Sequence, residues 1–433
     1  MYQVITHLRA REILDSRGTP TIEVDVTLDN GVIGRAAVPS GASTGRYEAH
    51  EKRDGNVKRY FGKGVLKAID AVHTTLADAL EGHNVYEQQN IDTIMCQLDG
   101  TPEKKSLGAN ALLAVSLACL KAAATNSGVP LYRHIGGNTA HRLPVPLVNV
   151  MNGGAHANNA LDIQEFMLVP WGADTFSEAL RWSAECFHAL KSLLQDKGFS
   201  TAVGDEGGFA PPLKDTTQAL DMLCQAIEKT SRKVGTDIAF ALDVAANELY
   251  HNKTYTIDQQ TYTSDALIDW YQQLRKKYPI VSIEDGLQED DLSGWQNAQR
   301  ILGSHVQLVG DDLFVTNPQR LRQGIAEGWA NALLVKINQI GTLTQTAEAI
   351  RLAQDAQMGR IMSHRSGETE DTSIADLAVG FNCPQIKIGS TARSERLAKY
   401  NQLLRIEEQL GASALYDGKK AFPHTTQPLA KPS

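Results

Sequence analysis

The sequence predicts an α/β protein in which a smaller α+β domain precedes a (β/α) barrel of TIM type. Three observations carry this expectation. The first third of the chain reads as strands followed by helices, and the rest as strand and helix in alternation. Six apolar runs in the later part each end on a polar or charged residue, namely Asp243, Glu284, Asp311, Lys336, His364 and Lys387. The last five of these follow one another at intervals of 27, 25, 28 and 23 residues, one βα unit each, and a barrel gathers such strand ends at one mouth. An open doubly wound sheet would need a glycine fingerprint after its first strand, and none is present.

Taken in order, Ile22, Val24, Val26 and Leu28 alternate with Glu23, Asp25 and Thr27, the period of a half-buried strand. Asp29, Asn30 and Gly31 supply a tight turn, and 32–38 forms the return strand. The run Pro-Ser-Gly-Ala-Ser-Thr-Gly at 39–45 reads either as a surface turn or as a mobile lid that wraps backbone groups and a hydroxyl around a ligand. It is not a Walker loop, because no Gly-Lys-Ser/Thr follows. Helical spacing recurs over Val65, Leu66, Ile69, Val72, Leu76 and Leu80, over Ile91, Ile94 and Leu98, and through 109–124. Pro130, Gly136, Gly137, Pro144 and Pro146 then punctuate the chain, which places a boundary near 138 and two domains at 1–137 and 138–433. Beyond it, Thr175 with Glu178 forms a capping box on a helix that Gly198 closes. Asp215 with Gln218 opens another, expected to end at Gly235, and 342–359 and 393–411 repeat the form.

A chain of 433 residues has room for two domains, and its 42% apolar and 21% charged fractions are those of a globular protein. The net charge of -8 argues against a binder of nucleic-acid backbones. Five cysteines, odd in number and far apart, suit reduced core thiols rather than disulfides or a metal site. The amino terminus carries Arg9, Arg11 and Glu12 with no apolar signal-peptide core, and the longest apolar helical run, 111–120, is half a membrane span. The expectation is a soluble cytoplasmic protein with neither nucleic acid nor membrane as partner.

The strand ends suggest chemistry. Asp243, Glu284 and Asp311 on successive strands would crowd like charges around one mouth, and a divalent cation resolves that conflict. With oxygen ligands throughout, Mg2+ is favoured over Zn2+. Any one of these acids alone reads equally well as a surface carboxylate. Lys336, the triplet His364-Arg365-Ser366, and Lys387 form a second, cationic set suited to gripping phosphate or carboxylate. Lys336 ends a short apolar run, and a lysine buried there needs either carboxylate partners or a lowered pKa. Bringing it from about 10.4 to near 7 would require roughly 4 to 5 kcal/mol of environment. Glu206, between glycines in the Gly-Asp-Glu-Gly-Gly run at 204–208, is expected to have a raised pKa and to donate a proton. A lysine base, an acid and Mg2+ together point to proton abstraction α to a carboxylate followed by loss of a leaving group.

These residues sit in motifs that resemble the enolase family from end to end. They are Asp-Ser-Arg-Gly at 15–18, Ser-Gly-Ala-Ser-Thr-Gly at 40–45, Gly-Ala-Asn-Ala at 108–111, Gln-Glu-Phe at 164–166, and the acidic glycine run at 204–208. Further on come Ala-Leu-Asp-Val-Ala at 241–245, Ser-Ile-Glu-Asp at 282–285, Gly-Asp-Asp-Leu at 310–313, and Lys-Ile-Asn-Gln-Ile-Gly at 336–341. Ser-His-Arg-Ser-Gly-Glu-Thr-Glu-Asp at 363–371 and Arg-Ser-Glu-Arg-Leu-Ala-Lys at 393–399 complete the set. A lysine or histidine base with one or two Mg2+ ions is the established pattern of that superfamily.

The resemblance implies a modified (β/α)8 barrel whose first strands break the βα alternation. It implies conversion of 2-phosphoglycerate to phosphoenolpyruvate, with Lys336 removing the C2 proton and Glu206 protonating the departing C3 hydroxyl. It implies two Mg2+ ions, one held by Asp243, Glu284 and Asp311 and one assisted by Ser43 on the lid. His156, Glu165, Arg365, Ser366 and Lys387 would contact substrate, with His364 beside them, and a homo-oligomer, typically a dimer, is expected. Ile388 stands where the family usually has threonine, but it should face away from Lys387 and the site. Gly286 and the Asn158-Asn159 pair depart from common family residues without removing a catalytic group. The rival readings are a superfamily relative acting on another carboxylate, a Schiff-base aldolase using the barrel lysine, and an enolase-fold protein that binds without turnover.

Overall fold

The computed structural model describes residues 2–41 and 45–425. Three antiparallel strands open the chain, β1 (Ile5–Leu14), β2 (Pro20–Leu28) and β3 (Ile33–Ala37), in the order 1-2-3. The β2–β3 hairpin turns where the sequence places it, with Gly31 at φ +84° and its N–H donating to Leu28 O at 2.9 Å. β1 is a strand beyond those expected. Its alternation of Leu8 and Ala10 with His7, Arg9 and Arg11 is short, and Glu12 and Ile13 are only half-buried.

The apolar face of this sheet packs on the helix Ala109–Asn126. At Gly34 a Cβ would stand 2.1 Å from Ala118 O, so glycine is what permits sheet and helix to touch. That helix is long and apolar enough by composition to cross a membrane, but 83% of it is buried inside the protein. Its apolar surface is covered by the sheet and by neighbouring helices. The expected helix over residues 65–80 forms with one π turn, Val72–Leu76, from which His73 Nε2 accepts a hydrogen bond from Ala10 N at 2.8 Å. All five cysteines are free thiols.

Eight strands then close into a barrel: β4 (Val145–Asn152), β5 (Glu165–Val169), β6 (Ala239–Asp243), β7 (Ile280–Glu284), β8 (Gln307–Gly310), β9 (Ala332–Val335), β10 (Gly359–Ser363) and β11 (Gln385–Lys387). β5 pairs antiparallel with both β4 and β6, and every other neighbouring pair is parallel. Two helices, Phe176–Asp196 and Thr216–Lys229, lie together between β5 and β6, and the later strands are joined by crossover helices, with an extra turn Ile337–Ile340 before the helix Leu343–Asp355. The barrel is therefore the modified kind that the resemblance implies.

The reversal of β5 has a chemical result. Its first residue, Glu165, lies in register with Asp243, the last residue of β6, so both reach the same rim. Below that rim the lumen is filled by side chains such as Met167, Ala241 and Val281, and by a hydrogen-bonded amide pair, Gln307 and Gln385.

Helix starts follow the sequence closely. Thr175, Asp215 and Thr342 each accept a hydrogen bond at their helix N-terminus, from Glu178 N, Gln218 N and Gln345 N. Two helix ends differ. The helix Thr216–Lys229 stops well before Gly235, because Ser231 turns the chain at φ +61° and 233–238 closes a turn into β6. The helix Leu343–Asp355 stops before Gly359, which instead opens β10.

Candidate active site

One pocket at the carboxyl-end rim is lined by His156, Glu165, Glu206, Asp243, Asp311, Lys336, His364, Arg365, Ser366 and Lys387. Asp243 and Glu284 end β6 and β7, Asp311 follows β8, Lys336 follows β9, His364 follows β10 and Lys387 ends β11. His156 closes the short turn Gly154–His156 between β4 and β5, and Glu206 stands in the 204–208 loop. Glu284 joins the group through Lys387, whose Nζ donates to Asp243 Oδ2 at 2.7 Å and to Glu284 Oε1 at 2.8 Å, with Glu165 Oε1 3.4 Å away. Ile388 is fully buried in the surrounding apolar core, as its place after Lys387 requires. Ser43 lies outside the described residues.

The charges fall into two sets. In the first, Lys336 is ion-paired with Asp311 Oδ2 and nine-tenths of Asp311 is buried. Burial pushes the Lys336 ammonium down, but Asp311 outweighs it, so Lys336 is held above its usual value. Asp311 is held low, since Lys336 and Arg365 overcome its own burial. Lys387 is held well above its usual value because Asp243, Glu165 and Glu284 together outweigh desolvation. Glu284 is pushed well up, by burial first and then by the charge of Asp243.

The second set surrounds Glu206. Its Oε2 has His364 Nε2 at 3.5 Å, Asn149 Nδ2 at 3.5 Å and His156 Nδ1 at 3.8 Å. Burial raises this carboxyl, but His364 and His156, with Arg396 behind them, hold it well below the usual range. Its neighbour Glu165 is the one held well above, by burial first and then by the charge of Glu206. This corrects the expectation of a raised Glu206. Of these two adjoining buried carboxyls, Glu165 is the one whose protonated form is favoured, and the imidazoles beside Glu206 favour its carboxylate. His364 itself is pushed down to about 3, chiefly by burial.

The donor set suits a hard cation. The rim acids offer only oxygen, and Glu284 Oε2 is buried with no hydrogen-bond partner. Among the described residues, two groups of three ligand atoms converge within 4.8 Å, His156 with Glu165 and Glu206, and Asp285 with Asp311 and Asp312. Asp243, Glu284 and Asp311 are not such a group; Lys387 bonds the first two and Lys336 pairs with the third.

Several participants have no role in the sequence reading. Asp285, at φ +42°, accepts hydrogen bonds from Asp311 N at 2.9 Å and Asp312 N at 3.0 Å and so fixes the β8 loop. Gln339 Nε2 donates to Asp311 Oδ1 at 2.8 Å, and Gln164 Nε2 to Asp243 Oδ2 at 3.2 Å. Glu48, from the amino-terminal domain, pairs with Arg365. Asp285, Gln339 and Gln164 lie inside the quoted motifs, whereas Glu48 carries no local signal beyond following the small-residue run.

A closed barrel with buried lysines and carboxylates at its mouth, capped by an α+β domain, is the architecture of a barrel lyase. The chain belongs to the enolase family: residues 5–135 match the model described as "Enolase, N-terminal domain", and residues 140–425 match "Enolase, C-terminal TIM barrel domain".

Proposed function

We infer that the protein is a cytoplasmic phosphopyruvate hydratase, EC 4.2.1.11, which interconverts 2-phosphoglycerate and phosphoenolpyruvate and works as a homo-oligomer. The observation that carries this reading is the division of one pocket into a buried lysine paired with Asp311 and a separate carboxyl cluster around Glu206. Base and acid are thus held by different partners, which a proton removal and a proton delivery both require.

In this reading Lys336 takes the C2 proton and Glu206 delivers one to the departing C3 hydroxyl. A proton held on Glu165, whose carboxyl is raised, would be the store from which Glu206 is supplied. A bound substrate anion raises the Glu206 carboxyl and draws that proton across. Arg365, Ser366, His156, His364 and Lys387 bind and orient the two anionic groups of the substrate. Asp243, Glu284 and Asp311 would hold a Mg2+ ion, with Ser43 contributing to a second. Such ions, when bound, stabilise the dianionic form of the substrate carboxylate.

The experiment is the absorbance of phosphoenolpyruvate formed from 2-phosphoglycerate, with Mg2+ and with EDTA. Mg2+-dependent turnover is expected. Its absence would return the protein to the binding or alternative-substrate readings.

A further inference from the structure

Arg396 lies in the first turn of the helix Ser394–Leu410 and is completely buried. A cation in that place opposes the helix dipole. The preceding Arg393 is also held at φ +71°, a strained conformation for a side-chain-bearing residue. Helix stability explains neither. What Arg396 touches does. Its Nη2 donates to the carbonyls of Asp205, at 3.2 Å, and Ser366, at 2.5 Å, and its Nη1 donates to the carbonyl of Arg365. It therefore binds the residue before Glu206 and the two residues after His364. Gly389 makes room for this cluster, since a Cβ there would meet Glu206 O at 2.7 Å, Arg396 Cδ at 3.0 Å and His364 Cε1 at 3.1 Å.

The same Nη1 also faces His364 Nδ1 within hydrogen-bond distance. A guanidinium has donors and no acceptor, so Nδ1 must present its lone pair and the imidazole must carry its one proton on Nε2. That nitrogen lies 3.5 Å from Glu206 Oε2, to which Asn149 Nδ2 also donates at 3.5 Å. An oxygen that already faces two donors is the poorer seat for a proton of its own. We propose that Arg396 is a positioning residue that locks His364 in the Nε2–H tautomer and thereby directs the transferable proton to Oε1 of Glu206.

This rests on the reading of Glu206 as the acid, and the test separates the two. In the full-length protein labelled with 15N-histidine, the His364 resonances, assigned from their loss in His364→Asn, should show a bare Nδ1 and a protonated Nε2. An Nδ1–H tautomer or an imidazolium would overturn the proposal whether or not the protein dehydrates 2-phosphoglycerate. That measurement needs no variant of Arg396 to fold. Arg396→Lys keeps a cation but cannot hold one ring nitrogen and three carbonyls together. It should bring His364 into tautomer exchange and slow dehydration about 100-fold, while C2-proton exchange and KM change only about threefold or less. An unaltered tautomer, or equal loss of both reactions with a raised KM, would reduce Arg396 to a structural role and overturn the proposal. Failure of the unaltered protein to dehydrate, with the tautomer as stated, would strike the acid role of Glu206 and leave the tautomer lock standing.

Discussion

Arg365 and Glu48 form a two-point ion pair between the barrel and the amino-terminal domain, Nη1 to Oε2 at 3.0 Å and Nη2 to Oε1 at 3.1 Å. Both side chains are more than nine-tenths buried, so water screens the pair little. Glu48 also accepts from Gln339 Nε2 at 3.2 Å, which ties the pair to the Asp311 side of the pocket. The domain contact and the site are thus one network.

Glu48→Gln keeps the shape of that side chain and removes its charge. The buried guanidinium would keep its bond to Asn338 Oδ1 and the charges of Asp311 and Asp312 but lose its paired carboxylate, and unfolding free energy should fall by about 3 kcal/mol. Urea denaturation measures this. A loss of less than about 0.5 kcal/mol would mean that the pair contributes specificity without stability.

Glu165 and Glu206 set opposite pH limbs. Glu165 is raised in the fold, so its contribution is complete below its unfolded pKa and is lost as pH rises through the folded value. Glu206 is lowered, so its contribution is present above the unfolded pKa and is lost as pH falls through the folded value. Metal-free protein should therefore lose stability on the alkaline side as Glu165 ionises. Glu165→Gln should flatten that limb and leave the acid limb in place. Thermal unfolding in EDTA from about pH 5 to pH 9 tests this, and an unchanged alkaline slope would refute it.

Much of the site was legible because barrel strands advertise their ends. Asp243, Glu284 and Lys387 close apolar runs, and Asp311, Lys336 and His364 follow them directly, so periodicity alone places six groups on one rim. Glu165 escapes that logic. It starts a strand, and only the reversal of β5 brings it to the mouth. β1 was hidden because its alternation is brief and broken by charge. The direction of the Glu206 shift was hidden for another reason. Neighbouring acids are visible in sequence, but His156 and His364 reach Glu206 Oε2 from distant segments with Arg396 behind them, and that convergence is a property of the fold alone.

Lys336 and Glu206 should separate under mutation. If Lys336 is the base, Lys336→Ala abolishes exchange of the substrate C2 proton with solvent, and persistent exchange would require another base. If Glu206 is the acid, Glu206→Gln lowers dehydration by about 100- to 10,000-fold while exchange remains measurable. Equal loss of both reactions in the glutamate variant would argue for a shared structural cause. Exchange is read by NMR of 2-phosphoglycerate in deuterated water, and dehydration by phosphoenolpyruvate absorbance.

If Mg2+ binds the rim acids as proposed, the pKa of Lys336 should depend on it. Without it, burial lowers the ammonium and Asp311 raises it, with the net result above the usual lysine value. Its contribution to stability is therefore complete below the unfolded pKa, about 10.4, and is lost only as pH climbs through the folded value. A raised lysine is a poor base at neutral pH. Positive charge placed on Asp243, Glu284 and Asp311 opposes the ammonium, and Arg365 and Lys387 already push in that direction. Titration of Lys336 by NMR of 13C-methylated protein should thus move down on adding Mg2+. Asp311→Asn should produce a downward shift even in EDTA, since it removes the largest single cause of the elevation. A Lys336 pKa indifferent to both changes would mean that the rim acids do not control the base.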